Sequence, residues 1–308
     1  MLGRRGPPLA RFMSTIELLV LGSGPSTSIP SIRCLVSNAD CRVCSEAHAN
    51  PNSKNRRLNP SLFVKYAGLN LLIDCGKTFR EGLMRVVPQH EIYPLDAVVL
   101  THGHADACFG LDDLRDVQAK LNPSQLAALP IYCSRRTRQE IEPKFGYLFE
   151  PSDPSVKSQL WTAKLQWREF DDMTSFRVCD KVVFNALAVW HGHDYLANGF
   201  EFGFEIGRRI VYISDVSRLT EETLGHLRQG AAIDILFLDA LHVDFPHGTH
   251  MSLNDAKATI QELRPVKTYL VGMGHTFDFN VHQPWLQTWK QSMGIDVEMA
   301  YDGLHLVL

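Results

Sequence analysis

Two histidines one residue apart, with an aspartate two further on, stand in "LTHGHADACFGLDDLR" at 100–115: His102, His104 and Asp106. Imidazole nitrogens and carboxylate oxygens are ligands for a divalent ion, and the His-x-His spacing sets both rings on one side of an extended or turning backbone. Other metal-capable side chains also follow apolar runs: His191 and His193 after "ALAVW", Asp215 after "IVYIS", Asp239 and His242 in and after "ILFLDA". A single histidine after a strand is ordinarily a surface or hydrogen-bonded residue. Several together point to a hydrolytic centre, because a divalent ion with one open position lowers the pKa of bound water from about 15.7 to about 7.

Cysteines form a second set. "CRVC" at 41–44 is a Cys-x-x-Cys pair with Cys34 upstream, a spacing used for zinc, for redox chemistry, or met by chance. Cys75, Cys133 and Cys179 sit in or beside apolar runs and read as core thiols, as does Cys108 on the expected helix after Asp106. His48, His90, His226, His282 and His305 have no partners in sequence and read as surface residues. Arg115 could meet a phosphate or pair with Asp112 or Asp113, and "GSGPS" at 22–26 has neither a P-loop lysine nor the flanks of a nucleophile elbow.

The elements that must carry these side chains follow from pattern. Strands are expected over 16–24, over 61–76 as a hairpin about Ala-Gly-Leu-Asn, in "LDAVVLTH", and at 129–134, 181–193, 200–207, 208–215, 233–242 and 267–275. A helix is expected from Asp106, where Phe109, Leu111, Leu114, Val117 and Leu121 recur at helical intervals, and another in "RRTRQEIEPKF" ending near Pro143. Ser252, three residues before Asp255, resembles a capping box opening a helix with Leu253, Ala256, Ile260 and Leu263 on its apolar face. "EPSDPS" at 150–155 is an exposed connection. Residues 25–60 lack apolar periodicity, and a loop that long in a compact domain is functional or tied down, with cysteines the available tie.

Composition excludes several classes. With 308 residues, 45% hydrophobic and 21% charged, the chain can bury a core. A net charge of -3 gives no broad positive field for nucleic acid or anionic lipid, Lys54-Asn55-Arg56-Arg57 being a small local exception. No apolar run reaches the ~18 residues of a membrane span. Seven cysteines, an odd number, fit a reducing compartment, so a cytoplasmic location is expected. Residues 1–14 read as a flexible basic segment; Arg4, Arg5 and Arg11 without an acid suit a mitochondrial presequence in charge, against which two prolines and few hydroxyls count, and Met13 is an alternative start.

"LGSGPSTSIP", "LLIDCG", "LTHGHADACFGLDDLR", "YISD" and "HGTHMSLNDA" occur in the order of the metallo-β-lactamase fold, and "GLDDLR" with "THMSL" resembles its PhnP-like branch, the phosphoribosyl cyclic phosphodiesterases. The likeness runs from about Glu17 to the C-terminus. It implies an α/β fold, a four-layer αββα sandwich over 15–308 with a zinc-stapled loop at about 25–60. It also implies that His102, His104, His191 and Asp215 hold a first metal and that Asp106 and Asp215 belong to a second, His191 being preferred to His193 because Gly192 and the distance to "GFEFG" suit the family. The same resemblance adds His275 to Cys34, Cys41 and Cys44 as a closed structural zinc site. Two positions depart from it: Ala107 and Gly272 stand where second-metal histidines are expected. The centre is then rebuilt around one firmly held ion, or a second ion is held by Asp106, Asp215 and a substitute such as His193 or Cys108.

The expectation is a metal-dependent hydrolase, with zinc or manganese at the centre, acting on a small cyclic or nucleotide-like phosphodiester. Activated water attacks phosphorus, Asp106 orients it or takes its proton, and His250 protonates the departing oxygen or contacts phosphate. The alternatives are a non-catalytic, zinc-stapled binding protein and an RNA-processing nuclease, the latter disfavoured by the acidic balance. A homodimer is left open.

Overall fold

A computed structural model describes residues 15–122, 125–149 and 162–308. The basic stretch 1–14, with Met13, and the connection 150–155 lie outside the described residues.

Alternation along the strands explains the layers. In Ser61–Tyr66, Leu62, Val64 and Tyr66 face one way and Phe63 the other; in Ile235–Asp239, Ile235 and Phe237 oppose Leu236 and Leu238. Strands apolar on both faces must be covered on both. One set meets in a central core between two sheets, through Ile16, Leu18, Leu62, Val64, Phe184, Phe200, Phe202, Tyr212 and Phe237. The opposite faces are covered by helices: Phe79–Val86 and Arg135–Ile141 on the first sheet, Glu221–Arg228, Leu253–Leu263 and Phe279–Met293 on the second. The result is the four-layer αββα sandwich.

The first sheet runs His305–Val307, Ile16–Gly22, Ser61–Tyr66, Leu69–Ile73, Ala97–Val99, Leu129–Ser134, Leu165–Phe170. The second runs Arg218–Leu219, Val182–Trp190, Leu196–Phe202, Ile210–Ile213, Ile235–Asp239, Lys267–Val271, Val297–Met299, with Ser175–Val178 pairing beside Val182–Trp190. Pairing is parallel from Leu69–Ile73 to Leu165–Phe170 and from Ile210–Ile213 to Val297–Met299. Parallel strands end at a common edge, and open α/β sheets bind ligands outside their carboxyl ends. Asp74, His102, Asp215, Asp239 and Gly272 all stand at or just past such ends.

Several expectations changed in detail. The hairpin turn is Ala67-Gly68, both at positive φ. The helix expected from Asp106 is a short turn, Ala105–Cys108, then a 3-10 segment, Leu111–Asp116, divided at Gly110. The strand expected to run through residue 207 stops at Phe202, because Gly203 at φ 101 turns the chain into a 3-10 turn. Ser252 and Asp255 form the expected capping box. Within 25–60, two helices, Ile32–Val36 and Arg42–Ala49, present the cysteines. No helix among the described residues is long and apolar enough to cross a membrane.

Candidate metal centre

His102 is the residue from which the centre can be built. Asp74, buried at the end of its strand, accepts from the Thr101 backbone N–H and from Thr101 Oγ1, both at 2.8 Å. The hydroxyl proton being spent on Asp74, Thr101 Oγ1 accepts from His102 Nδ1–H at 2.8 Å. That fixes the tautomer: Nε2 carries a lone pair, and it is buried with no hydrogen-bond partner. Burial holds this imidazole neutral, pushing its pKa down to about 3. A buried, unpartnered acceptor whose opposite nitrogen is anchored is the arrangement of a metal ligand.

His191 is prepared in the same way. Its Nδ1 donates to the Thr249 carbonyl at 2.8 Å, leaving Nε2 free. His104, at the mouth, stacks on Tyr195 with centroids 4.7 Å apart and 17° between planes; Tyr195 in turn donates to Glu140 at 2.7 Å. Ligand atoms of His102, His104 and His191 lie within 4.8 Å of one another, as do those of His102, Asp106 and Asp215, and those of His191, Asp215 and His250.

The carboxylates share the same space. Burial and then Asp215 push the Asp106 carboxyl above its ordinary range, while Asp215, which burial alone would also raise, is held low by His102, His250 and His191. Buried acids crowded in this way call for a cation. His250 donates from Nδ1 to Asp239 Oδ2 at 2.8 Å, with Asp215 Oδ1 at 4.0 Å. Burial opposes its charge, but Asp239 and Asp215 outweigh that and raise its pKa to about 9. His104, Asp106, His191 and His250 line a cavity of about 990 Å³ together with Ser26, Thr27, Arg33, Lys77, His242 and His247, while His102 and Asp215 are buried.

The cysteine set closes as expected. Sγ of Cys34, Cys41 and Cys44 lie 3.0, 3.5 and 3.8 Å from His275 Nδ1. Tetrahedral zinc with bonds of about 2.3 Å to sulfur and about 2.05 Å to nitrogen would give edges of roughly 3.5 Å, so the donor set fits. Burial raises the Cys34 and Cys44 thiols, the latter to about 12, which a metal must overcome by displacing their protons. Arg57, read from sequence as part of a local basic run, is fully buried and donates to the carbonyls of Gly274 and Phe277 at 3.2 and 2.9 Å, fastening the loop that carries His275.

Neither suggested substitute reaches the centre. His193 is exposed and outside the clusters, and the buried Cys108 thiol donates to the carbonyls of Gly103 and His104. Arg115 pairs with Asp112 at 3.1 Å. His226, read as unpartnered, meets buried Glu201 at 2.7 Å, and His90 meets His305 edge to face. Asp74, Thr101, Tyr195 and Lys77 were not identified from sequence; for Asp74 the signal was present in "LLIDCG", an acid ending an apolar strand.

Known proteins share this fold. The model of a β-lactamase superfamily domain matches residues 69–273. A solved structure described as a new diphosphatase from the PhnP family is 30% identical, with a TM-score of 0.75, over 96% of this chain and 97% of that one. Human tRNase Z, short form, shares the fold at 17% identity and a TM-score of 0.58, covering 94% of this chain and 98% of that one. An octanoyltransferase of Porphyromonas gingivalis is 27% identical over 95% of this chain but 52% of its own length, so the chain spans about half of that curated relative. By its matched domain and its likeness to the PhnP-family diphosphatase, the chain belongs to the β-lactamase superfamily of metal-dependent hydrolases, on the PhnP-like branch.

Proposed function

We propose that the chain hydrolyses a phosphodiester or diphosphate linkage in a small anionic molecule, at the edge where the two sheets' parallel strands end. The observation that carries this reading is the unpartnered, lone-pair-bearing Nε2 of buried His102, gathered with His104, His191, Asp106 and Asp215, of which His104, His191 and Asp106 line an open cavity. His102, His104, His191 and Asp215 would hold a divalent ion, zinc or manganese by donor type. When bound, such an ion supplies a Lewis acid and activates water near neutral pH.

The protein's own groups do the rest. Asp106, in one cluster with His102 and Asp215 and lining the cavity, is placed to take a proton from the attacking water. His250, anchored through Nδ1 on Asp239, offers its other nitrogen to the departing oxygen. Thr101 and Thr249 keep His102 and His191 in their ligand tautomers. The diphosphatase description of the PhnP-family relative supports phosphorus as the centre attacked. Cys34, Cys41, Cys44 and His275 would hold zinc in a folding role.

The test is hydrolysis of a cyclic phosphodiester, of bis(4-nitrophenyl) phosphate and of a nucleoside diphosphate derivative by metal-replete protein, with Asp215→Asn as control. Turnover of at least one, lost in the variant, is expected. No turnover of any would contradict the proposal.

A further inference from the structure

We infer that the catalytic centre is built for one ion, and that Lys77 takes the electrostatic place a second cation would hold; this rests on the hydrolase reading above. Two-ion hydrolytic centres clamp both the attacking and the leaving oxygen. The donor set here does not fit a second ion.

The three ligand clusters are one centre. His102, His191 and Asp215 each belong to two of them, so the clusters are contiguous. Of the acids, Asp106 and Asp215 could face a neighbouring ion, and Asp215 is already shared. His250 is the one further imidazole of the clusters, and its Nδ1 is taken by Asp239; positions 107 and 272, where the family resemblance puts histidines, bring no donor. Ala107 is buried and brings only a methyl group. At Gly272 the backbone has φ +71, a left-handed conformation that disfavours side chains, and a Cβ there would overlap Asp239 Oδ1. Asp239 is fully buried; its Oδ2 accepts from His250 and from the Val216 N–H, which anchors the carboxylate, while its Oδ1, the atom beside Gly272, makes no hydrogen bond. The Asp239–His250 pair thus occupies the space a ligand from residue 272 would need.

A cation is supplied from another element. The loop 75–77 is bonded to the turn that carries Asp106: Cys75 N–H donates to the Ala107 carbonyl at 2.7 Å, Lys77 N–H to the Ala105 carbonyl at 3.2 Å, and Gly110 N–H to the Cys75 carbonyl at 2.8 Å. A Cβ at Gly76 would overlap the Asp106 carbonyl, so only glycine allows this approach. Lys77 therefore lines the cavity beside His104 and Asp106. An ammonium so placed meets the phosphoryl oxygens as their charge grows, with no change in metal content when it is removed.

Metal counting tests this directly. Full-length protein dialysed against buffered free zinc and assayed by inductively coupled plasma mass spectrometry should hold two ions per chain, one lost in Cys41→Ser and the other in His102→Ala. Three ions per chain would overturn the inference and leave the hydrolase reading standing; one ion, lost in Cys41→Ser alone, would overturn both. In parallel, Lys77→Met should keep two ions and lose at least tenfold in kcat, with part recovered in Lys77→Arg. Unchanged turnover in Lys77→Met would overturn the role given to the lysine.

Discussion

Asp239 and His250 form a buried hydrogen-bonded pair, Oδ2 to Nδ1 at 2.8 Å, at the carboxyl end of a central parallel strand. The pair fixes which nitrogen of His250 faces the cavity, and its carboxylate fills the space beside Gly272. Asp239→Ala should release the imidazole and lower turnover by roughly 10- to 100-fold while the metal content is kept. Kinetics with metal analysis on one preparation checks it. Full activity would show that the anchor does not matter.

Thr101→Val removes the hydroxyl that links His102 to Asp74 and leaves the volume nearly unchanged. His102 then loses the acceptor that sets its tautomer. Affinity for the catalytic ion should fall by roughly 10- to 100-fold, with the cysteine site unaffected. Competition with a chromophoric chelator measures both sites.

Arg57 holds the carbonyls of Gly274 and Phe277 on either side of the His275 loop. Arg57→Met leaves the Phe277 carbonyl without its donor and takes one of two donors from the Gly274 carbonyl, at a cost of about 1–3 kcal/mol. Thermal unfolding should begin roughly 4–8 °C lower, and the cysteine site should release zinc more readily. An unchanged midpoint would mean water replaces the guanidinium at no cost.

Glu201 is buried between Arg209, at 2.5 Å, and His226, at 2.7 Å. Burial works against its charge, but His226, Asn185 and Arg209 hold its pKa below the ordinary 4.5. Below 4.5 the unfolded chain takes up the proton first, so the stability this residue gives is present at neutral pH and lost as pH falls through the lower folded value. Glu201→Gln should cost about 3 kcal/mol at pH 7, chiefly by leaving Arg209 unpaired, and should flatten the acid limb of the stability curve. Urea unfolding from pH 3 to 7 reads both effects.

Much of this was legible in the sequence because the centre lies at strand ends. Apolar runs such as "AVVL", "IVYIS" and "ILFLDA" announce buried strands, and the polar residue that ends each run must stand at the sheet's edge. The Cys-x-x-Cys pair marked a candidate open between zinc, redox chemistry and chance, and the family resemblance added His275. Less legible were elements whose pattern is broken by their position. Phe279–Met293 contains Pro284, and Leu165–Phe170 and His305–Val307 are partly exposed edge strands with weak apolar alternation. Least legible were partners that meet only in three dimensions. Nothing in "NSKNRRLNP" distinguishes exposed Lys54 from Arg57, which is wholly buried, and nothing near Lys77 foretells that its loop is bonded to the turn of Asp106.

Anomalous diffraction at the zinc and manganese edges, from crystals grown with both ions, tests the central claim most directly. The account predicts a peak about 2.0–2.2 Å from His102 Nε2, His191 Nε2, a nitrogen of His104 and an oxygen of Asp215, besides one within the cysteine cluster. A peak among Cys34, Cys41, Cys44 and His275 with none at His102 would contradict it.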